Sequence, residues 1–515
     1  MTIQSPPGPT LLHVPDRNLS SANMKIGRAG WAVRYYSSFS REAVLKIAEA
    51  VARAGHEKAG FYADWAVRET GYGVTEHKKL KNELSALPLL DHYRDLDLVT
   101  PRIDADRKIV ELPKPAGVIF ALTPATNPIA TLYYKTMLAI LSRNALVISP
   151  HPAARECSLS AATHLAAAAE KAGAPAGLIQ CIEEPSVPLV QTLMRSDKIA
   201  VIMATGGGAM VRAAYSSSNP AIGVGPGNAV AYVDPSANVD QAAQRIIDSK
   251  SFDNSVLCTN ESVVLTLDGN LGNLERALRT AGGHVCNDAD ADRLRDYLFS
   301  ANGFNTEAIG KSACWVAEKA GLRVSPSTRV LIPVIREPGQ DDVLFKEKLC
   351  PVLPLTAAVD FEQALTFAKQ TLKRGAGHSA AFHGEDSARI LRFSQEMPVY
   401  RVVVNAPCSQ GAAGFATHLP PSFMIGTGFK GRSSIGENVG PQHLVHWTSI
   451  AYNKETSVPF GTFDLSSITH PAKGRQRAAA AIAAPPPPAS PPGVDRDLLR
   501  QLILEELRGL NGDRT

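Results

Sequence analysis

The chain has 515 residues, 44% of them hydrophobic and 20% charged, a length and composition that imply two or three globular domains rather than one core. A formal net charge of +4, with acidic and basic residues intermixed, excludes the basic stripe of a nucleic-acid-binding surface. No apolar run reaches the roughly 18 residues of a membrane span, the N-terminus MTIQSPPGPT lacks the apolar core of a secretion signal, and seven cysteines without CxxC or His/Cys spacing argue against a disulfide framework and a metal site.

Residues 1–20 are rich in Pro and Ser and read as a mobile lead-in. Ser40 then offers a helix N-cap with Glu42 in the first turn, and Val44, Leu45, Ile47, Ala48 and Val51 follow at helical spacing until Gly55. Helical pattern continues to the GYG break at 71–73. The segment 99–112, VTPRIDADRKIVEL, alternates apolar and polar positions and reads as an exposed hairpin in need of a partner edge.

From Gly117 the chain becomes α/β. GVIFAL (117–122), ALVIS (145–149), LIQCI (178–182), IAVIMA (199–204) and AVAYV (229–233) read as buried strands, with amphipathic stretches such as 131–143 and 153–172 between them. That alternation predicts a parallel, doubly wound sheet. Ligands of such sheets bind beyond the carboxyl ends of the strands. The rule singles out Thr123, Pro124, Ala125, Thr126 and Asn127 in TPATNP (123–128), Ser149, Pro150 and His151 in SPHP (149–152), Gly206, Gly207 and Gly208 in TGGG (205–208), and Val224 in GVGPGN (223–228). Consecutive glycines before a helix let backbone amides approach a pyrophosphate, although a structural turn explains TGGG nearly as well.

A second α/β series begins near Gln241 with VVLTL (263–267), VLIPVI (330–335) and VVVN (402–405). Within it lies SFDNSVLCTNESVVL (251–265), where Cys258 has Asp253, Asn254 and Asn260 nearby and an apolar run behind it. It reads as a reactive thiol at the mouth of a buried strand, facing the loops of the first series. Most free cysteines are small buried hydrophobes, so the case rests on that context.

The end of the chain differs in kind. AAAAIAAPPPPASPPG (478–493) has the composition of a stiff solvated spacer. After it, Val494, Leu498, Leu499, Leu502, Ile503, Leu507 and Leu510 fall on one broad helical face. A stripe of that kind on a tether must dock on something else.

With these motifs in place, residues 25–465 resemble the aldehyde dehydrogenase superfamily, and within it the CoA-acylating acetaldehyde and propionaldehyde dehydrogenases. ALTPATNP resembles the family's oxyanion loop, which makes Asn127 the side-chain donor; TGGGAM resembles the pyrophosphate loop and FDNSVLCTNE the nucleophile segment. FKEKLCPVLP resembles the segment that lies on the nicotinamide ribose, here Glu347 with Leu349 beside it; alone, Glu347 would read as a solvated charge between two lysines. VNAPCSQGAAG (404–414) and GFKGRSSIGENVGPQHL (428–444) resemble the acylating branch in particular.

The resemblance implies an aldehyde dehydrogenase-like fold. Its parts would be a doubly wound cofactor domain at 21–235, a catalytic thiol domain at 236–440, and a β oligomerisation arm at 99–112 completed by a strand within 441–468. A linker at 469–493 and an amphipathic helix at 494–515 would follow. It also implies an activity: oxidation of a short-chain aldehyde to acyl-CoA, with NAD and coenzyme A, through a thioacyl group on Cys258 in a homodimer or homotetramer. The tail resembles the encapsulation peptides of microcompartment enzymes, which would put the protein in the cytoplasm within a bacterial microcompartment lumen, docked on shell or core proteins.

Two departures refine this. The segment matching the glutamate base of hydrolytic relatives, NPAIGVGPGN (219–228), has no carboxylate, so CoA rather than water is the expected acceptor, and Gly223 is where a glutamate could be installed to restore hydrolysis. Ser149 and His151 stand where a Lys and a Glu usually grip the adenosine ribose, which favours NAD while Arg155 or His151 could tolerate a 2′-phosphate. His378 in GAGHSA is a candidate for orienting CoA or cofactor, a satisfied structural histidine being the other reading. The rival activities are a hydrolytic dehydrogenase giving free acid, a cysteine acyltransferase without redox chemistry and a noncatalytic shell adaptor.

Overall fold

The computed structural model describes residues 17–301, 303–336, 342–463 and 465. The expected linker 469–493 and tail helix 494–515 lie outside the described residues. Among the described residues no helix is long and apolar enough to cross a membrane.

The first described helix begins earlier than the Pro/Ser-rich start suggests. Arg17–Tyr36 is a helix that buries Ala22, Ile26, Ala29, Val33 and Tyr36, a spacing of four, three, four and three that keeps one stripe on the core. Of the lead-in expected over residues 1–20, residues 17–20 are helical and the rest lies outside the described residues. Ser40 accepts a hydrogen bond from Ala43 N at 3.4 Å and caps Arg41–Glu57. That helix runs two residues past Gly55. Ala59–Thr70, Thr75–Leu84 and Leu87–Tyr93 follow. Thr75–Leu84 is inverted: the residues it buries are Lys78, Lys81 and Asn82. Lysine is almost never fully buried unless paired, so this face must meet acidic or carbonyl groups.

The first sheet is parallel throughout, with spatial order Ile179–Cys181, Ala145–Pro150, Val118–Thr123, Val201–Thr205, Ala221–Val224. The chain builds outward from Val118–Thr123 in one direction and then returns to its other side, so the loops after Val118–Thr123 and Val201–Thr205 flank the point where the order reverses. Pro128–Leu141, expected to be amphipathic, is buried on every side, each large apolar side chain contributing about 1.5–3 kcal/mol. Its Lys135 donates to Leu122 O at 2.7 Å and Met203 O at 2.9 Å, tying together the carboxyl ends of two central strands.

The second sheet is also parallel, in the order Leu355–Ala358, Glu261–Leu267, Ala229–Val233, Ala380–His383, Val402–Val404. Ala229–Val233, expected as the last strand of the first sheet, is the central strand of this one; a continuous buried run reads alike in either sheet. Val330–Pro333 also stands apart from its expected place, pairing with Gly283–Cys286 in a two-stranded sheet. The hairpin expected over 99–112 forms from Arg102–Asp104 and Ile109–Pro115, and its partner edge within the chain is Val445–Ala451, antiparallel to Ile109–Pro115.

Candidate active site

The first sheet presents its carboxyl edge and the second its amino edge to a common cleft of about 620 Å³, within the usual range for small-molecule sites. From the first come Thr123, Pro124, Ala125, Thr126, Asn127, Ser149, Pro150, His151, Gly206, Gly207 and Val224; from the second come Cys258, Glu347 and Leu349. Two expected residues are not in this lining. Gly208 is the first residue of the helix Gly208–Tyr215, with Gly207 as its cap. His378 is buried with Nδ1 on Ser379 Oγ at 2.9 Å and Nε2 without a partner, and burial, aided by Arg401, pushes its pKa down to about 3. The walls also include Tyr72, Ile309, Phe423 and Ile425 from loops and Val187 from the start of the helix Val187–Met194, none of them within a motif.

The segment before Cys258 holds three consecutive non-glycine residues in the left-handed region, Asp253, Asn254 and Ser255, with φ of 50°, 51° and 67°. Asp and Asn tolerate that conformation better than most residues, and the turn is held from outside. Asp253 N donates to His77 Nδ1 at 2.9 Å, Val74 N donates to Asp253 Oδ1 at 2.7 Å, and Asn254 Nδ2 donates to Gly310 O at 2.8 Å. Beyond the turn, Leu257 N donates to Asn260 Oδ1 at 2.8 Å and Thr259 Oγ1 to Ser409 O at 2.9 Å. Cys258 is thereby fixed, half-buried, in the cleft. Burial, reinforced by the nearby Glu347 carboxylate, pushes its thiol up to about 12, so the resting group is a thiol.

Asn127 is the N-cap of Pro128–Leu141, yet its side chain caps nothing there. Its Nδ2 instead donates to Val256 O at 2.8 Å, two residues before Cys258, while its Oδ1 accepts from Lys81 Nζ. Lys81 and Lys78 both donate to Asp253 Oδ2, Lys78 at 3.0 Å, and Lys78 also reaches Thr126 O at 2.7 Å. Lys78 and Lys81 lie one turn apart on one helix face, and Asp253 is fully buried between them.

Among the described residues the cleft lining holds one carboxylate, Glu347. Gly227 N donates to its Oε1 at 2.9 Å, and burial pushes its pKa up to about 7. The Ala221–Val224 strand and the Gly225–Gly227 turn bring no acidic group to the thiol.

A dinucleotide fits the other end of the cleft. Thr123 Oγ1, Ser149 Oγ and Thr205 Oγ1 are buried without partners. They lie at the carboxyl ends of three adjacent strands, the places where a ligand would satisfy them. The Gly206 and Gly207 backbone is open beside them. No Lys or Arg of the described residues lines the cleft. Arg155 is engaged with Glu156 at 2.9 Å and Glu184 at 2.7 Å, His151 Nδ1 accepts from Ala153 N at 3.2 Å, and burial lowers the His151 pKa. An adenosine ribose without a 2′-phosphate suits these groups better than one that carries it.

Comparison with known proteins gives three kinds of likeness. Residues 3–451 match the model of the aldehyde dehydrogenase family. An aldehyde-alcohol dehydrogenase of Clostridium acetobutylicum is 36% identical over 437 residues, 83% of this chain but 50% of that protein, so the chain spans about half the length of such relatives. Among solved structures, an acetylating aldehyde dehydrogenase from Geobacillus thermoglucosidasius superposes with a TM-score of 0.84 at 33% identity, covering 87% of this chain and 100% of that one. A propionaldehyde dehydrogenase from the fucose utilisation bacterial microcompartment of Clostridium phytofermentans gives a TM-score of 0.78 at 27% identity, covering 85% and 98%.

Proposed function

The chain belongs to the aldehyde dehydrogenase family, and we propose that it oxidises a short-chain aldehyde, propionaldehyde or acetaldehyde, to the acyl-CoA, with NAD and coenzyme A. The observation that carries the choice of acceptor is the lining around Cys258: its single carboxylate, Glu347, is tied to Gly227 N, and the 219–228 stretch supplies none. A thioester left on Cys258 then has no dedicated base to activate water, and a thiol is the better acceptor. The acetylating activity of the Geobacillus relative points the same way.

In this reading the Cys258 thiol gives up its proton to solvent, the thiolate sulfur forms a bond to the carbonyl carbon, and the π electron pair moves to oxygen. The oxyanion is received by the Asn127 amide and the Cys258 backbone N–H, fixed donors that lose nothing to reorganisation. The Thr123, Ser149 and Thr205 hydroxyls and the Gly206 and Gly207 amides would hold NAD, which when bound would supply the hydride acceptor. The acyl group remains on Cys258 as a thioester. The CoA sulfur then bonds to the acyl carbon, the bond to Cys258 breaks, and the proton of the CoA thiol passes to the departing Cys258 sulfur.

The microcompartment reading rests on the tail composition and on the origin of the Clostridium phytofermentans relative. On it, residues 494–515 dock on shell or core proteins, and the arm of Ile109–Pro115 and Val445–Ala451 carries a dimer or tetramer contact. The test of the chemistry is to mix protein, propionaldehyde and NAD without CoA and to digest. The peptide containing Cys258 should carry a propionyl group that CoA removes; an unmodified Cys258 under turnover conditions would refute the assignment.

A further inference from the structure

The orientation of the Asn127 amide is decided by its two neighbours. Lys81 Nζ can only donate, so the atom facing it must be Oδ1; Val256 O can only accept, so the atom facing it must be Nδ2. A flipped amide would set donor against donor and acceptor against acceptor. One N–H of Nδ2 is used on Val256 O at 2.8 Å; the other makes only a long contact, 3.4 Å, with Thr126 Oγ1, and since Thr126 and Asn127 both line the cleft, a ligand there can take it over.

Lys81 is itself fixed. It is 1% exposed, its Nζ is clamped on Asp253 Oδ2, and it stands over the Phe252 ring with Nζ 5.8 Å from the centroid. A cavity of about 10 Å³, lined by Lys78, Lys81, Asn82 and Asn127, lies behind the amide. Lys81 is absent from the cleft lining; its hydrogen bond toward the chemistry runs through Asn127, while its charge acts on the Cys258 thiol only as a minor pull downward.

We propose that Lys81, held by Asp253, is the positioning residue of the oxyanion site: its Nζ–H···Oδ1 bond locks the Asn127 amide with its N–H groups toward Val256 and the cleft. The inference rests on the reading of Asn127 as an oxyanion donor. The charged and titratable groups around Lys81 are Lys78 and His77 on its own helix, and Asp253 and Cys258 on the nucleophile segment. Both the protonated and the neutral amine donate hydrogen bonds, so the lock needs no particular charge state. That suits a group whose pKa burial lowers to about 7.

The charge count favours a test by substitution. Two lysines share one carboxylate, so Lys81→Met leaves a balanced Lys78–Asp253 pair, and the methionine occupies similar volume. The experiment is a double-mutant cycle with Asn127→Ala, reading kcat and the aldehyde KM, with gel filtration and near-UV circular dichroism as checks on folding. Asn127→Ala is expected to lower kcat about 100-fold or more and Lys81→Met at least about tenfold, with KM within about threefold. The double variant should then be no worse than Asn127→Ala within about threefold, because a lock has no effect once the amide is gone. Lys81→Arg, which keeps donors, should recover part of the loss. If Lys81→Met does not fold, the smaller Lys81→Leu carries the same cycle. Unchanged kcat in a folded Lys81 variant, or a double variant showing the full product of the two losses, would overturn the proposal. Unchanged kcat in Asn127→Ala alone would refute the oxyanion role itself, and this proposal with it.

Discussion

Gly227 packs against the backbone carbonyl of Cys258 so closely that a Cβ at 227 would come within 1.8 Å of the Cys258 oxygen. No side chain can be accommodated there without moving the nucleophile or the turn that carries Glu347's partner amide. Gly227→Ala is expected to cost about 1–3 kcal/mol of stability and to lower kcat at least about tenfold, since a displacement near 1 Å at a reacting group is costly. Thermal unfolding together with steady-state kinetics checks both.

The same stretch decides where a carboxylate can enter. A Cβ at Gly223 would meet Val211 Cγ1 at 2.7 Å and Tyr215 Cε2 at 2.9 Å, whereas at Gly225 the nearest atom is Ala376 Cβ at 3.7 Å. The expected site for restoring hydrolysis, Gly223, is therefore closed by packing. Gly225, which lines the cleft, is open. Gly225→Glu should fold and release free acid without CoA at a measurable rate; Gly223→Glu should be destabilised and gain no hydrolysis. Quantifying free acid by chromatography separates the two outcomes.

The three unpartnered hydroxyls give a prediction about cofactor affinity. Replacing Ser149 by Ala or Thr205 by Val removes no hydrogen bond present in the protein, so stability should change by less than about 0.5 kcal/mol. The KM for NAD should rise several-fold, by the roughly 0.5–1.5 kcal/mol of one hydrogen bond. A loss of stability with unchanged KM for NAD would mean that the hydroxyls serve the fold.

Glu347 gives a pH signature. Its folded pKa is raised from 4.5 to about 7 by burial, so between those values the folded state binds more protons than the unfolded. Its contribution is fully present below about pH 4.5 and is lost as the pH rises through about 7. Glu261 shifts in the same sense, while His77, His151, His378 and His383 are lowered and act oppositely. The difference between wild type and Glu347→Gln is therefore the quantity to measure. The variant should gain in relative melting temperature as the pH rises across that window; a constant difference would contradict the raised pKa.

Most of the cleft was legible in the sequence because buried parallel strands are continuous apolar runs, and the residues just past their ends are few. Thr123 to Asn127, Ser149 to His151 and Gly206 were found that way, and Cys258 by the amides and carboxylate around it. Lys78 and Lys81 were not. At positions 78, 81 and 82 polar residues recur at helical spacing, which ordinarily marks a solvated face; burial is tolerable because the sequence-distant Asp253 balances the lysines and Thr126 O, Asn127 Oδ1 and Ala59 O accept from the three side chains. The sheet membership of Ala229–Val233 was hidden for a different reason, since a strand buried on both faces carries no mark of which neighbours it takes. Arg17–Tyr36 escaped notice because half of its buried stripe, Ala22, Ala29 and Ala32, is alanine, which gives little hydrophobic contrast.

The central claim is that Cys258 hands an acyl group to a thiol rather than to water, and the direct measurement is NADH formation from propionaldehyde and NAD with and without CoA, followed to product. Sustained turnover should need CoA and give propionyl-CoA. Without CoA, NADH should stop near one equivalent per Cys258, and Cys258→Ala should give none in either case. Sustained release of propionate without CoA at a comparable rate, or turnover by Cys258→Ala, would contradict the account.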